Sequence, residues 1–230
     1  MFKKIKAKLR SSLGIAEIRG GVMFSSAIQD SEWLKYKGFS FGGWAMDAFS
    51  LHNLFRVLND VKPKNIIEFG LGQSSKMVHQ YAGFYKANAL TVEHDKDWIS
   101  YIKTHAPLIN FNILQADLET VTVNGAKTVT YKNIAELCGN EEVNLYIVDG
   151  PPGQRRCSRS QILDFVPQKL AKDFCIFIHD TQRSGERETI NLLCEKLSQN
   201  GIEFLRKNYS DYKCWHTIIC CKNWKFLTSI

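Results

Sequence analysis

The chain has 230 residues, 44% of them hydrophobic and 23% charged, which fits one folded domain with a terminal extension and supplies ample apolar material for a core. Its formal charge of +7 is concentrated at one end: Lys3, Lys4, Lys6, Lys8 and Arg10 precede the first acid, and residues 11–230 hold 25 basic against 23 acidic side chains. A near-neutral body argues against nucleic acid as partner, no apolar stretch approaches the ~20 residues of a membrane span, and seven cysteines without a Cys-x-x-Cys pair disfavour both zinc and a disulfide framework.

Residues 1–13 place Phe2, Ile5, Leu9 and Leu13 at helical spacing among lysines. Such a stripe suits either an anionic membrane surface or a solvated terminal helix. With no signal-peptide apolar region, the expected location is cytoplasmic, with residues 1–13 offering peripheral contact at the inner membrane face. Residues 33–49 gather Trp33, Tyr36, Phe39, Phe41, Trp44 and Phe49 between glycines, which reads as a folded loop that either packs or walls a ligand site, Trp44 being a candidate substrate contact. A helix over 45–59 follows. Residues 1–60 thus read as a covering unit and 61–230 as the main domain.

Residues 65–69 form an apolar, β-branched strand that runs into Gly70 and Gly72, and a helix is expected over 76–82. Two glycines one residue apart let the backbone turn sharply and leave it bare toward a nucleotide-like ligand. A dinucleotide site would need a third glycine where Ser75 stands, and Glu68 repels phosphate but suits an ammonium or sulfonium. A second strand, 89–92, ends in Glu93-His94-Asp95, followed by a helix over 96–105 and a third strand, 111–114, leading to Asp117. Asn124-Gly125 amid alternating β-branched residues signals an extra hairpin over 118–131. After a short helix at 134–138, the fourth strand, 143–148, ends in Asp149-Gly150-Pro151-Pro152-Gly153. A helix over 158–171, kinked at Pro167, crosses to the fifth strand, 174–178, which ends in His179-Asp180-Thr181. A helix over 186–200, stopped by Gly201, and strands at 202–207 and 214–221 complete the chain.

On Glu68-x-Gly70-x-Gly72 and the acid Glu93, 25 places on, residues 61–224 resemble the class I S-adenosylmethionine-dependent methyltransferases. The resemblance implies a Rossmann-like, doubly wound α/β fold with a seven-stranded, mainly parallel sheet, an antiparallel last strand and helices on both faces. It implies a donor site shaped by Glu68, Gly70, Gly72, Ser74 and Ser75, with Glu93 on the ribose, Asp117 bordering adenine, and His94 and Asp149 among the donor-binding residues. The pairing of Glu-His-Asp-x-x-Trp (residues 93–98) with Val-Asp-Gly-Pro (148–151) looks like a branch that methylates sugar hydroxyls, among them glucuronoxylan and macrolide-sugar methyltransferases.

Ligands bind at the carboxyl ends of the strands in such sheets, so Asp149, His179 and Asp180 share a cleft and are the catalytic candidates. Two readings stay open. Asp149 and Asp180 hold Mg²⁺, as aspartates after these strands do in similar catechol-type enzymes, although Thr181 stands where those carry asparagine; or His179 or Asp180 takes the acceptor's proton directly. Arg155, Arg156 and Arg159 either clamp an acidic or phosphorylated sugar or lie solvated on the surface. Competing functions are methyl transfer to a small phenol, amine or carboxylate, a nicotinamide-dependent oxidoreductase, and a catalytically silent scaffold subunit in polysaccharide assembly.

Overall fold

The computed structural model describes residues 2–41, 43–211 and 214–230, with side chains from residue 14 onward. Seven strands form one sheet in the order β3-β2-β1-β6-β7-β9-β8. These are β1 (Asn65–Phe69), β2 (Asn88–Glu93), β3 (Ile113–Gln115), β6 (Val143–Val148), β7 (Leu170–His179), β8 (Leu205–Asp211) and β9 (Cys214–Cys220). The first five pair in parallel, and β9 runs antiparallel to both β7 and β8. This is the doubly wound Rossmann-like architecture, and it follows from strands that alternate residue by residue between two cores. Ile66, Leu145, Ile147, Cys175, Phe177 and Cys220 join one core; Ile67, Tyr146, Val148, Ile176, Ile178 and Cys221 join the other. Both faces being apolar, each must be covered by helices. Cys220 and Cys221 therefore lie on opposite faces of the sheet, and all seven cysteines are free thiols.

Helices α1 (Phe2–Ile28), α2 (Ala48–Val61) and α3 (Gln73–Tyr85) supply one cover. The other comes from α5 (Ile134–Leu137), α6 (Ser184–Gln199) and the segment between β6 and β7. α4 (Lys96–His105) follows β2. The hairpin over 118–131 forms as β4 (Leu118–Val123) and β5 (Ala126–Tyr131), with Asn124 at φ 47° and Gly125 at φ 70° making its turn.

Three expectations need correction. Residues 158–171 form no α-helix: a 3-10 turn spans Ser160–Asp164, and Leu170 has already joined β7, opposite Val143. Pro167 lacks an N–H and disfavours helix in the residue before it, and Ile162, Phe165 and Val166 are buried without a helical ladder. β8 begins at Leu205, three residues later than its apolar pattern starts. α1 continues to Ile28, where Ala16, Gly20, Phe24 and Ile28 form a buried stripe of spacing four. Gly20 permits this: a Cβ there would stand 3.1 Å from Phe49 N. The stripe of Phe2, Ile5, Leu9 and Leu13 lies outside the described side chains. No helix among the described residues is long and apolar enough to cross a membrane.

The aromatic loop mostly packs. Trp33 stacks on Phe55 (centroids 5.1 Å apart) and meets Tyr81 edge-on, and Phe39 and Phe41 meet Phe24 edge-on. Trp44 is 93% exposed.

Candidate functional site

The carboxyl ends of β1, β2, β6 and β7 open on one side of the sheet. The loop after β1 is the centre of this region. Gly70 sits at φ 98°, and a Cβ there would stand 2.9 Å from Gly150 N; conversely, a Cβ on Gly150 would stand 2.7 Å from Gly70 Cα and 2.6 Å from Tyr131 Oη. The loops after β1 and β6 thus cross backbone to backbone, which only glycine allows. Nothing lies within 4 Å of the position a Cβ would take on Gly72, so the next step of the loop faces open space.

Leu71, between the glycines, is held at both ends of its backbone. Its N–H donates to Glu93 Oε2 (3.0 Å), and its carbonyl accepts from Trp98 Nε1 (2.7 Å). Glu93 Oε1 accepts from the N–H groups of His94 (2.6 Å) and Asp95 (3.0 Å). The Glu-x-x-x-x-Trp spacing of residues 93–98 is therefore a clamp that fixes the glycine loop to the end of β2. Glu93 Oε2 keeps a lone pair for a further donor.

Glu68 lies beneath the loop, fully buried. It accepts from Ser74 Oγ (2.6 Å) and from Thr91 Oγ1 (2.7 Å), its register partner on β2. Behind it, His79 Nδ1 accepts from Asn112 N–H and its Nε2–H donates to Thr91 (2.9 Å), which fixes a neutral imidazole; burial pulls that histidine down to about 4. Ser75 Oγ accepts from Gly72 N–H (2.9 Å) at the start of α3. Ser74, Ser75 and Glu68 accordingly build the floor of the loop. Asp117 is exposed just past β3.

Burial, partly offset by hydrogen bonds from Ser74, Ser75 and Thr91, pushes Glu68 up from the ordinary 4.5 to about 7. The folded chain therefore holds a proton that the unfolded chain releases above 4.5, so this residue's contribution to stability is full below that pH and is lost as pH rises through 7. Glu68→Gln should gain on the wild type by about 3 kcal/mol between those limits, at 1.36 kcal/mol per unit. Urea melts of both proteins at several pH values check this; parallel profiles would refute it.

At the end of β7, His179 lies between two carboxylates. Its Nδ1–H donates to Asp149 Oδ1 (3.0 Å) and its Nε2–H to Asp47 Oδ2 (3.2 Å). Burial lowers a histidine, but the charge of Asp149 and the hydrogen bonds to both aspartates outweigh it, and His179 stands well above its usual range. Burial likewise raises Asp47, yet the bonds from His179 and Ser50 bring it down to about 2. Asp47 also caps α2, accepting from Ser50 N–H (3.0 Å), while Ser50 Oγ donates to it (2.6 Å) and faces His216 Nδ1 (3.0 Å). Asp47's side chain is 19% exposed, and Cys214 Sγ lies within 4.8 Å of the Asp47 and His179 ligand atoms.

The three arginines do not form one cluster. Arg155 is exposed, and Arg156 pairs through Nε with both oxygens of Glu188 (2.9 and 2.7 Å). Arg159 is buried: Nη1 lies 3.1 Å from Asp149 Oδ1 and donates to His179 O (3.0 Å), and Nη2 donates to Asp180 Oδ2 (3.1 Å). Arg183 Nη1 lies 3.0 Å from the same Asp180 oxygen. Ligand atoms of Asp149, His179 and Asp180 lie within 4.8 Å of one another, but Arg159 Nη1 and Nη2 already stand 3.1 Å from the two aspartates, and a divalent cation beside that guanidinium would be repelled. Thr181, in the third ligand position, offers only a hydroxyl. These residues do not fit Mg²⁺.

Sequence reasoning passed over Asp47, Tyr131, Cys214 and the His79–Thr91 relay. Asp47 left a trace, because Asp-x-x-Ser before a helix is a capping pattern; its partner His179 is 132 residues away and left none.

No family model matches the sequence, and no curated protein matches it. Solved structures do share its fold. A methyltransferase from Podospora anserina, bound to S-adenosylhomocysteine, is 15% identical with a TM-score of 0.56, the match covering 86% of this chain and 93% of that one. An O-methyltransferase of tomaymycin synthesis from Streptomyces achromogenes, in complex with S-adenosylmethionine, is 12% identical, TM-score 0.54, covering 87% and 95%. Precorrin-6y C5,15-methyltransferase from Geobacter metallireducens is 10% identical, TM-score 0.51, covering 82% and 96%. At such identities the likeness is one of fold.

Proposed function

We propose that this chain is an S-adenosylmethionine-dependent O-methyltransferase acting on a hydroxyl of a sugar or glycoconjugate. The observation that carries the donor half is the clamped loop: bare backbone at Gly72, a buried carboxyl below it, and Glu93 with acceptor capacity left at the end of β2. Glu93 there fits a ribose diol, and its carboxylate beside the loop poorly fits a pyrophosphate. Proteins of this fold that bind S-adenosylmethionine or its product support the same choice. Bound S-adenosylmethionine supplies an electrophilic methyl group.

The protein's own part is to hold the acceptor oxygen in line and to manage its proton. Positioning of that kind is worth about 7 to 11 kcal/mol. His179, already charged, is not the base that its type suggests; its place is to hold Asp47, whose partly exposed carboxylate accepts a hydrogen bond from the acceptor. A carboxylate this weakly basic suffices, because the hydroxyl becomes strongly acidic as its oxygen bonds to carbon, so proton loss is late. The sugar acceptor is supported by the branch resemblance at residues 93–98 and 148–151.

Calorimetry with S-adenosylhomocysteine tests the donor half; binding is expected, and a thermal response to NAD in its place would overturn it. Methyl transfer to a panel of glycan acceptors then tests the other half. Asn caps a helix as well as Asp does, so Asp47→Asn should keep the fold and the donor affinity while lowering kcat roughly 10²-fold. An unchanged kcat would remove Asp47 from the mechanism.

A further inference from the structure

We infer that Arg159 is a built-in cation of the acceptor side, organising Asp149, Asp180 and His179 so that the protein works without a divalent metal. Its mechanistic half rests on the methyltransferase reading; its structural half does not.

The Arg159 side chain is 5% exposed: Nη1 donates to His179 O and lies 3.1 Å from Asp149 Oδ1, Nη2 donates to Asp180 Oδ2, and Nε donates to Pro151 O (3.4 Å). One planar fork thus ties together the loop after β6, the end of β7 and the residue that follows it. The backbone of Arg159 adopts the left-handed conformation (φ 58°, ψ 38°) at the start of the 3-10 turn, which directs the side chain back under the Asp149–Pro152 segment. Glu186 Oε1 lies 3.8 Å from Nε and accepts from Ser158 Oγ (3.0 Å), so the cluster includes a third carboxyl.

An arginine here differs from a bound ion in two ways. It cannot dissociate or be chelated, and its planar fork fixes the angle between the two aspartates. Mg²⁺ would demand oxygens at about 2.0–2.1 Å in octahedral array and would have to displace the guanidinium. Among the described residues Thr181 Oγ1 and Glu186 Oε2 are buried without a hydrogen-bond partner, so the metal arm of the experiment probes them together with the two aspartates.

The experiment uses the full chain. Wild-type protein treated with EDTA should keep its melting temperature and its S-adenosylhomocysteine affinity, millimolar Mg²⁺ should move neither, and added Mn²⁺ should keep the electron paramagnetic resonance spectrum of the free ion. Arg159→Met removes the charge at similar length: it should melt several degrees lower and regain stability in millimolar Mn²⁺, the ion taking the guanidinium's place between Asp149 and Asp180 although Arg183 still pairs with Asp180. Arg159→Lys keeps one positive charge without the fork and should stay insensitive to metal, which preserves a folded comparison should the Met variant not fold. Loss of S-adenosylhomocysteine affinity or several degrees of melting temperature on chelation of the wild type would overturn the inference, as would bound-Mn²⁺ spectra from it. An Arg159→Met protein that folds and ignores Mn²⁺ would overturn the claim that Arg159 stands where an ion would sit. The melting arm involves neither donor nor acceptor, so its failure leaves the methyltransferase reading intact. Absent S-adenosylhomocysteine binding would end that reading and leave Arg159's role standing.

Discussion

Glu93→Ala is expected to lower the affinity for S-adenosylhomocysteine by about 10³-fold or more. Two contributions add. A carboxylate holding a ribose diol makes charge-assisted hydrogen bonds worth about 1.5–3 kcal/mol each. The same carboxylate also accepts from the N–H groups of Leu71, His94 and Asp95, so its loss releases the glycine loop as well as the ligand. Trp98→Phe separates the two effects. It keeps Glu93 and frees only the Leu71 carbonyl, so it should cost about tenfold, one hydrogen bond's worth. Calorimetry on both variants, with melting curves to confirm folding, checks the pair. Affinity unchanged in Glu93→Ala would remove Glu93 from the donor site and the proposed activity with it.

Gly150→Ala is expected to destabilise the protein by about 4 kcal/mol, a loss at the far end of single substitutions. The new methyl would stand 2.6 Å from Tyr131 Oη, 2.7 Å from Gly70 Cα and 2.9 Å from Gly70 N. The aromatic side chain could yield; the backbone of β1's loop cannot without breaking the contacts that hold it. Gly72→Ala is the counterpart, since its methyl meets nothing within 4 Å and leaves stability nearly untouched, yet projects where a ligand would lie. Denaturant melts and S-adenosylhomocysteine titrations should sort the two: Gly150→Ala weak in the first, Gly72→Ala weak in the second. A Gly150→Ala protein as stable as the wild type would show that the loops do not meet as described.

Local chemistry made much of this fold readable. The Asn124-Gly125 turn, the two-glycine loop and the Gly201 stop each rest on conformations few residues adopt, so a short stretch carries the signal. Residues 14–28 carried no comparable signal. Glycines at 14, 20 and 21 weaken a helix, but Gly20 serves close packing against Phe49, which only the folded neighbour reveals. At 158–171, Pro167 marked trouble without saying that Leu170 would already pair with Val143. The candidate site divides similarly. Glu68, Glu93 and the glycines sit within thirty residues and followed a motif, whereas the partners of His179 come from residues 47 and 149, and Arg159 looked like any surface arginine in an Arg-Arg-x-x-Arg run. Burial and ion pairing between distant segments have no local trace.

The contact between Asp47 and His179 joins two regions that are built differently. The Gly70–Gly72 loop takes its side-chain hydrogen bonds from one continuous stretch, residues 65–98, and is braced from within it. The opposite wall is borrowed: the start of α2, delivered by the aromatic segment before it, meets the tip of β7 through a single hydrogen bond to the imidazole. A change confined to residues 33–49 would therefore reshape that wall while leaving the hydrogen bonds within residues 65–98 as they are.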